Sequence, residues 1–104
     1  MSNLTIYQEF IRVVKEKGEK IGEMPLPLSG RRSSAWKVGK MIIVLDENSP
    51  YPQGRVISVI ERKKFVYLSP FAVRAGALQM LGIADREICS EKRIKEILKR
   101  LVRT

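Results

Sequence analysis

The stretch from Gly54 to Leu68, GRVISVIERKKFVYL, constrains this chain more than any other. Two apolar, β-branched runs flank Glu61-Arg62-Lys63-Lys64. A two-residue turn at Arg62-Lys63 predicts a hairpin with Ile60 opposite Phe65, Val59 opposite Val66, Ser58 opposite Tyr67 and Ile57 opposite Leu68. Strand side chains alternate between faces, so Ile57, Val59, Val66 and Leu68 form one aliphatic face, and Ser58, Ile60, Phe65 and Tyr67 form the other. The first face should meet helices. The second sets two aromatic rings beside Arg62, Lys63 and Lys64, as in a sheet that stacks bases and neutralises phosphates. A second hydrophobic layer with a solvated basic turn fits the same pattern.

Twenty Lys and Arg face eleven Asp and Glu with no histidine, a formal charge of +9. Such a surplus favours a polyanionic partner, nucleic acid first; the competing reading is a basic, thermophile-type surface without a dedicated ligand. At 104 residues the chain is expected to form one domain, residues 1–104, able to fold without disulfides or metal. A single cysteine, Cys89, excludes an internal disulfide framework and a cysteine-based zinc cluster, and points to a reducing compartment. No apolar run has the length of a membrane span and no signal-peptide pattern opens the chain, so a cytoplasmic protein is expected.

Thr5 to Gln8 fits a capping box, and Ile6, Tyr7, Phe10, Ile11, Val13 and Val14 recur at helical spacing as far as Lys15, Lys17 and Gly18. Met24-Pro-Leu-Pro-Leu28 reads as an extended connector, because proline lacks the amide donor a helix needs. Ser29 to Ser34 is a small, polar loop in which Arg31 and Arg32 suit phosphate contact, or simply solvent.

Ala35 to Val38 and Met41 to Leu45 form a second hairpin about Gly39-Lys40. The unbroken apolar run of its second arm implies a central strand covered on both faces. Trp36 belongs either to the core or to the aromatic face with Phe65 and Tyr67. Asp46 to Gly54 is a turn-rich loop holding Tyr51 between two prolines, where it either caps the platform or tucks against the sheet edge. Ser69-Pro70 opens a helix that runs to Gly82, and Ser90 caps a last helix with Ile94, Ile97, Leu98, Leu101 and Val102 on its apolar stripe.

Lacking histidine, the chain cannot build the usual nucleophile-base pairs or zinc-water sites. Asp46, Glu61 and Lys63 match in spacing the PD-(D/E)xK nucleases, in which two carboxylates hold Mg²⁺ and a lysine steadies the attacking water. A turn at Arg62-Lys63 sets Glu61 and Lys63 at an exposed tip instead of mid-strand over a metal, and Asp46 lacks the proline that precedes the first acid of that motif. A helix-turn-helix reader built from Pro70 to Leu81 and Glu91 to Arg103 is a third option, with a connection longer than that turn normally uses.

The order of helix, four strands and two helices, the Ser34-Ala-Trp-Lys-Val-Gly39 entry, the Arg55 to Leu68 hairpin and the Tyr67-Leu-Ser-Pro70 junction together resemble the archaeal ThermoDBP-related single-stranded nucleic-acid-binding proteins. The resemblance covers residues 4 to 104 and implies a curved antiparallel sheet forming a hydrophobic cleft with a basic rim. It implies binding of single-stranded DNA, and in related members RNA, with little sequence preference, and assembly into homodimers or larger oligomers. Trp36, Phe65 and Tyr67 stand at its stacking positions, and Arg31, Arg32, Lys37, Arg55, Arg62, Lys63 and Lys64 at its phosphate positions. The parent protein of that family carries a longer C-terminal zipper than the helix here, which leaves the mode of self-association open.

The expectation is therefore an α+β domain: an N-terminal helix, a four-stranded antiparallel sheet of two hairpins, and two C-terminal helices packed on one face. Its expected function is binding of single-stranded DNA or RNA, without catalysis, cofactor or metal. The expected contacts are Arg31, Arg32, Trp36, Lys37, Tyr51, Arg55, Arg62, Lys63, Lys64, Phe65 and Tyr67.

Overall fold

The computed structural model of the chain describes residues 3–25, 31–46, 48–70 and 86–103. Helix α1 (Asn3–Lys17) leads into strands β1 (Glu19–Pro25), β2 (Arg32–Val38), β3 (Met41–Leu45), β4 (Val56–Glu61) and β5 (Lys64–Leu68), and helix α2 (Glu91–Arg103) follows. Short 3₁₀ turns occupy Pro52–Gly54 and Arg86–Cys89. The strands pair in chain order, each antiparallel to the next, in one sheet β1-β2-β3-β4-β5. The α+β class is as expected. The expected helix from Pro70 to Gly82 lies outside the described residues beyond Pro70, as do Leu26 to Gly30 of the connector and loop.

The sheet has five strands where the sequence pointed to four. β1 takes up Met24 and Pro25, assigned above to a connector, and β2 begins at Arg32, inside the expected loop. Every residue of β1 is exposed, so it carries no apolar alternation to betray it. Pro25 fits because it closes an edge strand, where its missing donor costs no interior ladder bond.

Both helices are where the periodicities put them. α1 starts at Asn3, so Thr5 lies inside it instead of capping it, and its stripe buries Tyr7, Phe10, Val13 and Val14. α2 buries Ile94, Ile97 and Leu101, while Val102, expected on the stripe, is 55% exposed. Ser90 caps α2, its hydroxyl accepting from Arg93 N at 3.3 Å. These side chains join Val38, Met41, Ile43, Leu45, Val56, Val59 and Tyr67 in one core between the helices and one face of the sheet. At about 1.5 to 3 kcal/mol for each large side chain fully buried, that layer dominates the stability of the domain.

The chain ends of α1 and β2 touch at Gly18. A Cβ there would lie 2.5 Å from Val14 O and 2.8 Å from Val38 Cγ2, so only glycine lets the helix turn directly into the sheet.

Three bulges control which side chain faces which way. Ile21 in β1, Ile57 in β4 and Val66 in β5 are each an extra residue without a partner across the ladder. The β4-β5 hairpin closes as expected, with Glu61 opposite Lys64 and Ile60 opposite Phe65. Beyond the bulge the expected register is wrong: Val59 faces Tyr67 and Ser58 faces Leu68. One residue of slip moves Tyr67 from the outer face, where it was expected, to the helix face. It also transfers Leu68 to the outer face. Val66, expected opposite Val59, packs against the core, and its carbonyl accepts a bond from Arg93 Nε of α2 at 3.0 Å.

Candidate nucleic-acid interface

Cross-strand register defines the outer face. One row of residues runs Glu19, Lys37, Ile42, Ile60, Phe65 from edge to edge. Glu19 and Lys37 are exposed; Ile42, Ile60 and Phe65 are half-buried, and none of the three belongs to the helix-covered core. The neighbouring residues on this face, Ala35 and Val44, are half-buried, while Ser58 and Leu68 are buried. Accessibility thus rises toward the end where the two hairpins turn.

Those turns share that end because Val38 pairs with Met41 and Met41 with Glu61. The first holds Gly39 at φ 59° beside exposed Lys40. The second is Arg62-Lys63, with φ of 52° and 67°. Both values lie in the left-handed region, the signature of a type I′ turn that ordinarily takes Asn-Gly. Arg62, Lys63 and Lys64 are all exposed. Lys37, Arg62, Lys63, Lys64 and Phe65 are therefore gathered at one end of the sheet.

The other expected contacts are not part of this cluster. Tyr67 is fully buried against the helices and cannot stack on a ligand. Its hydroxyl interacts with that of Tyr7 but has no hydrogen-bond partner of good geometry, and burial drives its pKa far above the usual phenol value. The same burial raises Tyr7 more modestly. Trp36 is half-buried on the helix face, with its Nε1 donating to Ser34 Oγ at 2.9 Å, so it and Phe65 lie on opposite sides of the sheet.

Arg31, Arg32, Tyr51 and Arg55 sit at the opposite end. Leu45 and Val56 pair there, four residues of β3 from Met41, or about 13 Å along the strand. Arg31 Nε donates to the buried Asp46 carboxylate at 3.1 Å, and Arg55 Nε donates to Ser49 O at 3.3 Å. Both arginines tie down the loop after β3. Arg32 lines a cavity of about 330 Å³ with Lys20, Glu23, Ser33, Ser34, Leu45 and Asn48, where Glu23 offsets both cations. Tyr51 is 60% exposed, remote from the rim.

That separation also dismantles the nuclease constellation. Asp46 follows one end of the β3-β4 ladder and Glu61 closes the other. Asp46 is paired with Arg31, Glu61 with Arg100 of α2, and Lys63 occupies the turn tip. Two carboxylates about 16 Å apart along a strand cannot share a metal ion whose ligands lie about 2 Å from it. No group of three or more potential metal ligands occurs among the described residues.

Ile42, Ile60 and Lys40 complete the cluster and were not foreseen as a group. The signal existed for Ile60, which the hairpin register assigns to the face of Phe65. Adding Ile42 and Lys37 requires knowing how the two hairpins align. No protein-family model, curated protein or solved structure matches the chain.

Proposed function

We propose that the protein binds single-stranded nucleic acid, DNA or RNA, with little sequence preference and without catalysis. Unpaired bases lie on the apolar row of Phe65, Ile60 and Ile42, and phosphates are met by Lys37, Arg62 and Lys63, with Lys64, opposite Glu61, on the helix side of the same end. The observation that supports this reading is the cross-strand alignment of Lys37, Ile42, Ile60 and Phe65 at the end carrying both basic hairpin tips. Apolar surface beside free cations suits a partner with flat π-faces on an anionic backbone. The resemblance to ThermoDBP-related proteins belongs to the same proposal, as do assembly into a homodimer or larger oligomer and a cytoplasmic setting. No helix among the described residues is long and apolar enough to cross a membrane.

With one aromatic on the row instead of three, affinity leans on charge. Binding should therefore weaken steeply with salt. Fluorescence anisotropy with labelled single-stranded and duplex oligonucleotides at two salt concentrations tests the proposal. Single strands should bind more tightly, and Phe65→Ala should weaken them. Equal affinity for duplex, or an indifferent Phe65→Ala, would remove the apolar row from the function.

A further inference from the structure

The ends of four elements converge on the pole that carries the hairpin tips. Lys17 Nζ at the end of α1 donates to Val102 O near the end of α2 at 2.8 Å. Arg100 of α2 pairs with Glu61, the last residue of β4. Gly18 abuts Val38 beside the first hairpin turn. Both helix C-termini and both hairpin turns thus form one continuous surface.

Even with Glu19 exposed beside Lys37 at the same end, its charge is far from balanced. Lys40, Arg62, Lys63, Lys64, Lys99 and Arg103 are exposed there and take part in none of the ion pairs seen among the described residues. The bland account is that basic residues offset the helix dipoles. Two helix C-termini supply roughly one negative charge between them, too little for six cations. The backbone gives a second, independent sign. Arg62 and Lys63 hold left-handed conformations that side-chain-bearing residues adopt at a cost, where Asn-Gly would sit without strain. Strain kept at a tip bearing two cations indicates that the charges themselves are used.

Resting on the reading proposed above, we infer that this pole is a phosphate-tracking surface which carries a nucleic-acid strand off the sheet row and over the ends of both helices. The sheet row holds bases; the pole holds backbone alone. Lys99 and Arg103, on α2 and outside the sheet, make contacts that only a strand long enough to reach beyond the hairpin tips can use.

Binding of oligothymidines of about 6 and about 20 nucleotides, measured by anisotropy across a salt series, separates the possibilities. Wild-type protein should show a salt slope steeper by about two on the long strand. The double variant Lys99→Ala/Arg103→Ala should lose that difference, with affinity for the short strand unchanged. Wild-type slope and affinity of the double variant on the long strand would overturn the inference while leaving the sheet row intact. Failure of the wild type to bind either strand would instead strike the reading beneath it. Tighter binding of the wild type to duplex or to anionic vesicles than to the long strand would assign the pole to another polyanion and overturn it as well.

Discussion

Tyr67 stands opposite Val59, one residue out of step with the Ile60 and Phe65 pair beside it, because Val66 bulges between them. That offset puts the tyrosine ring in the core and leaves Phe65 as the aromatic of the outer row. Replacing Tyr67 by alanine should cost about 3 to 5 kcal/mol of stability, the usual range for removing a buried aromatic. Tyr67→Phe should be neutral or stabilising, since it removes a buried hydroxyl that lacks a good partner. Urea unfolding of both variants checks this. An alanine variant as stable as wild type would mean that the ring is not part of the core.

The same phenols set a pH limit. Unfolded tyrosines ionise near pH 10, whereas burial raises the folded values of Tyr67 and Tyr7. Their preference for the neutral form contributes its full stability below about pH 10 and is lost as the pH climbs above it, because the unfolded chain releases its protons first. Urea midpoints between about pH 8 and pH 11 should therefore fall at the alkaline end. The fall should be shallower in Tyr67→Phe. Identical alkaline profiles for the two proteins would contradict a perturbed Tyr67.

Much of this architecture is local and therefore legible in the sequence. The stripes of α1 and α2 follow from spacing, the turn at Gly39-Lys40 from turn chemistry, and the turn at Arg62-Lys63 from the apolar runs that flank it, against its turn chemistry. The bulge at Val66 does not. Whether that residue pairs or steps aside depends on a core contact and on Arg93, 27 residues away. Since the face of every residue past the bulge depends on it, Tyr67 lies on the helix face, against expectation, while Phe65 keeps the outer face the turn assigned it. β1 escaped for the opposite reason: with all seven residues exposed, nothing in its hydropathy marks it as a strand.

Gly18 offers a test of how tightly helix and sheet are joined. A methyl group there would press on Val14 O and Val38 Cγ2 at distances that real Cβ atoms do not tolerate. Overpacking of this kind typically costs about 1 to 3 kcal/mol. Gly18→Ala should lower the urea midpoint by a corresponding amount, with the helical circular dichroism of the folded state retained. A fully stable alanine variant would show that α1 shifts away from β2 without penalty.

Base contact and phosphate contact separate at Phe65 and Lys63. A base resting on an aromatic ring is worth about 1 to 3 kcal/mol, so Phe65→Ala should weaken single-strand binding by about 5-fold to 150-fold with its salt slope unchanged. Lys63→Ala should reduce the slope by about one. Equal slopes for Lys63→Ala and wild type would remove that lysine from the phosphate rim.

The turn at Arg62-Lys63 sets stability against charge. Each of its residues is in the left-handed region, at φ 52° and 67°, where a side chain costs about 1 to 2 kcal/mol. Asparagine and glycine occupy that geometry readily. Arg62→Asn/Lys63→Gly should therefore raise unfolding stability by about 1 to 3 kcal/mol. It should also lower the salt slope for single-stranded oligonucleotides by about two. A gain in stability with an unchanged slope would show that the strained tip serves neither the rim nor the pole. A loss of stability would mean that Arg62 and Lys63 are held by interactions stronger than the strain they bear.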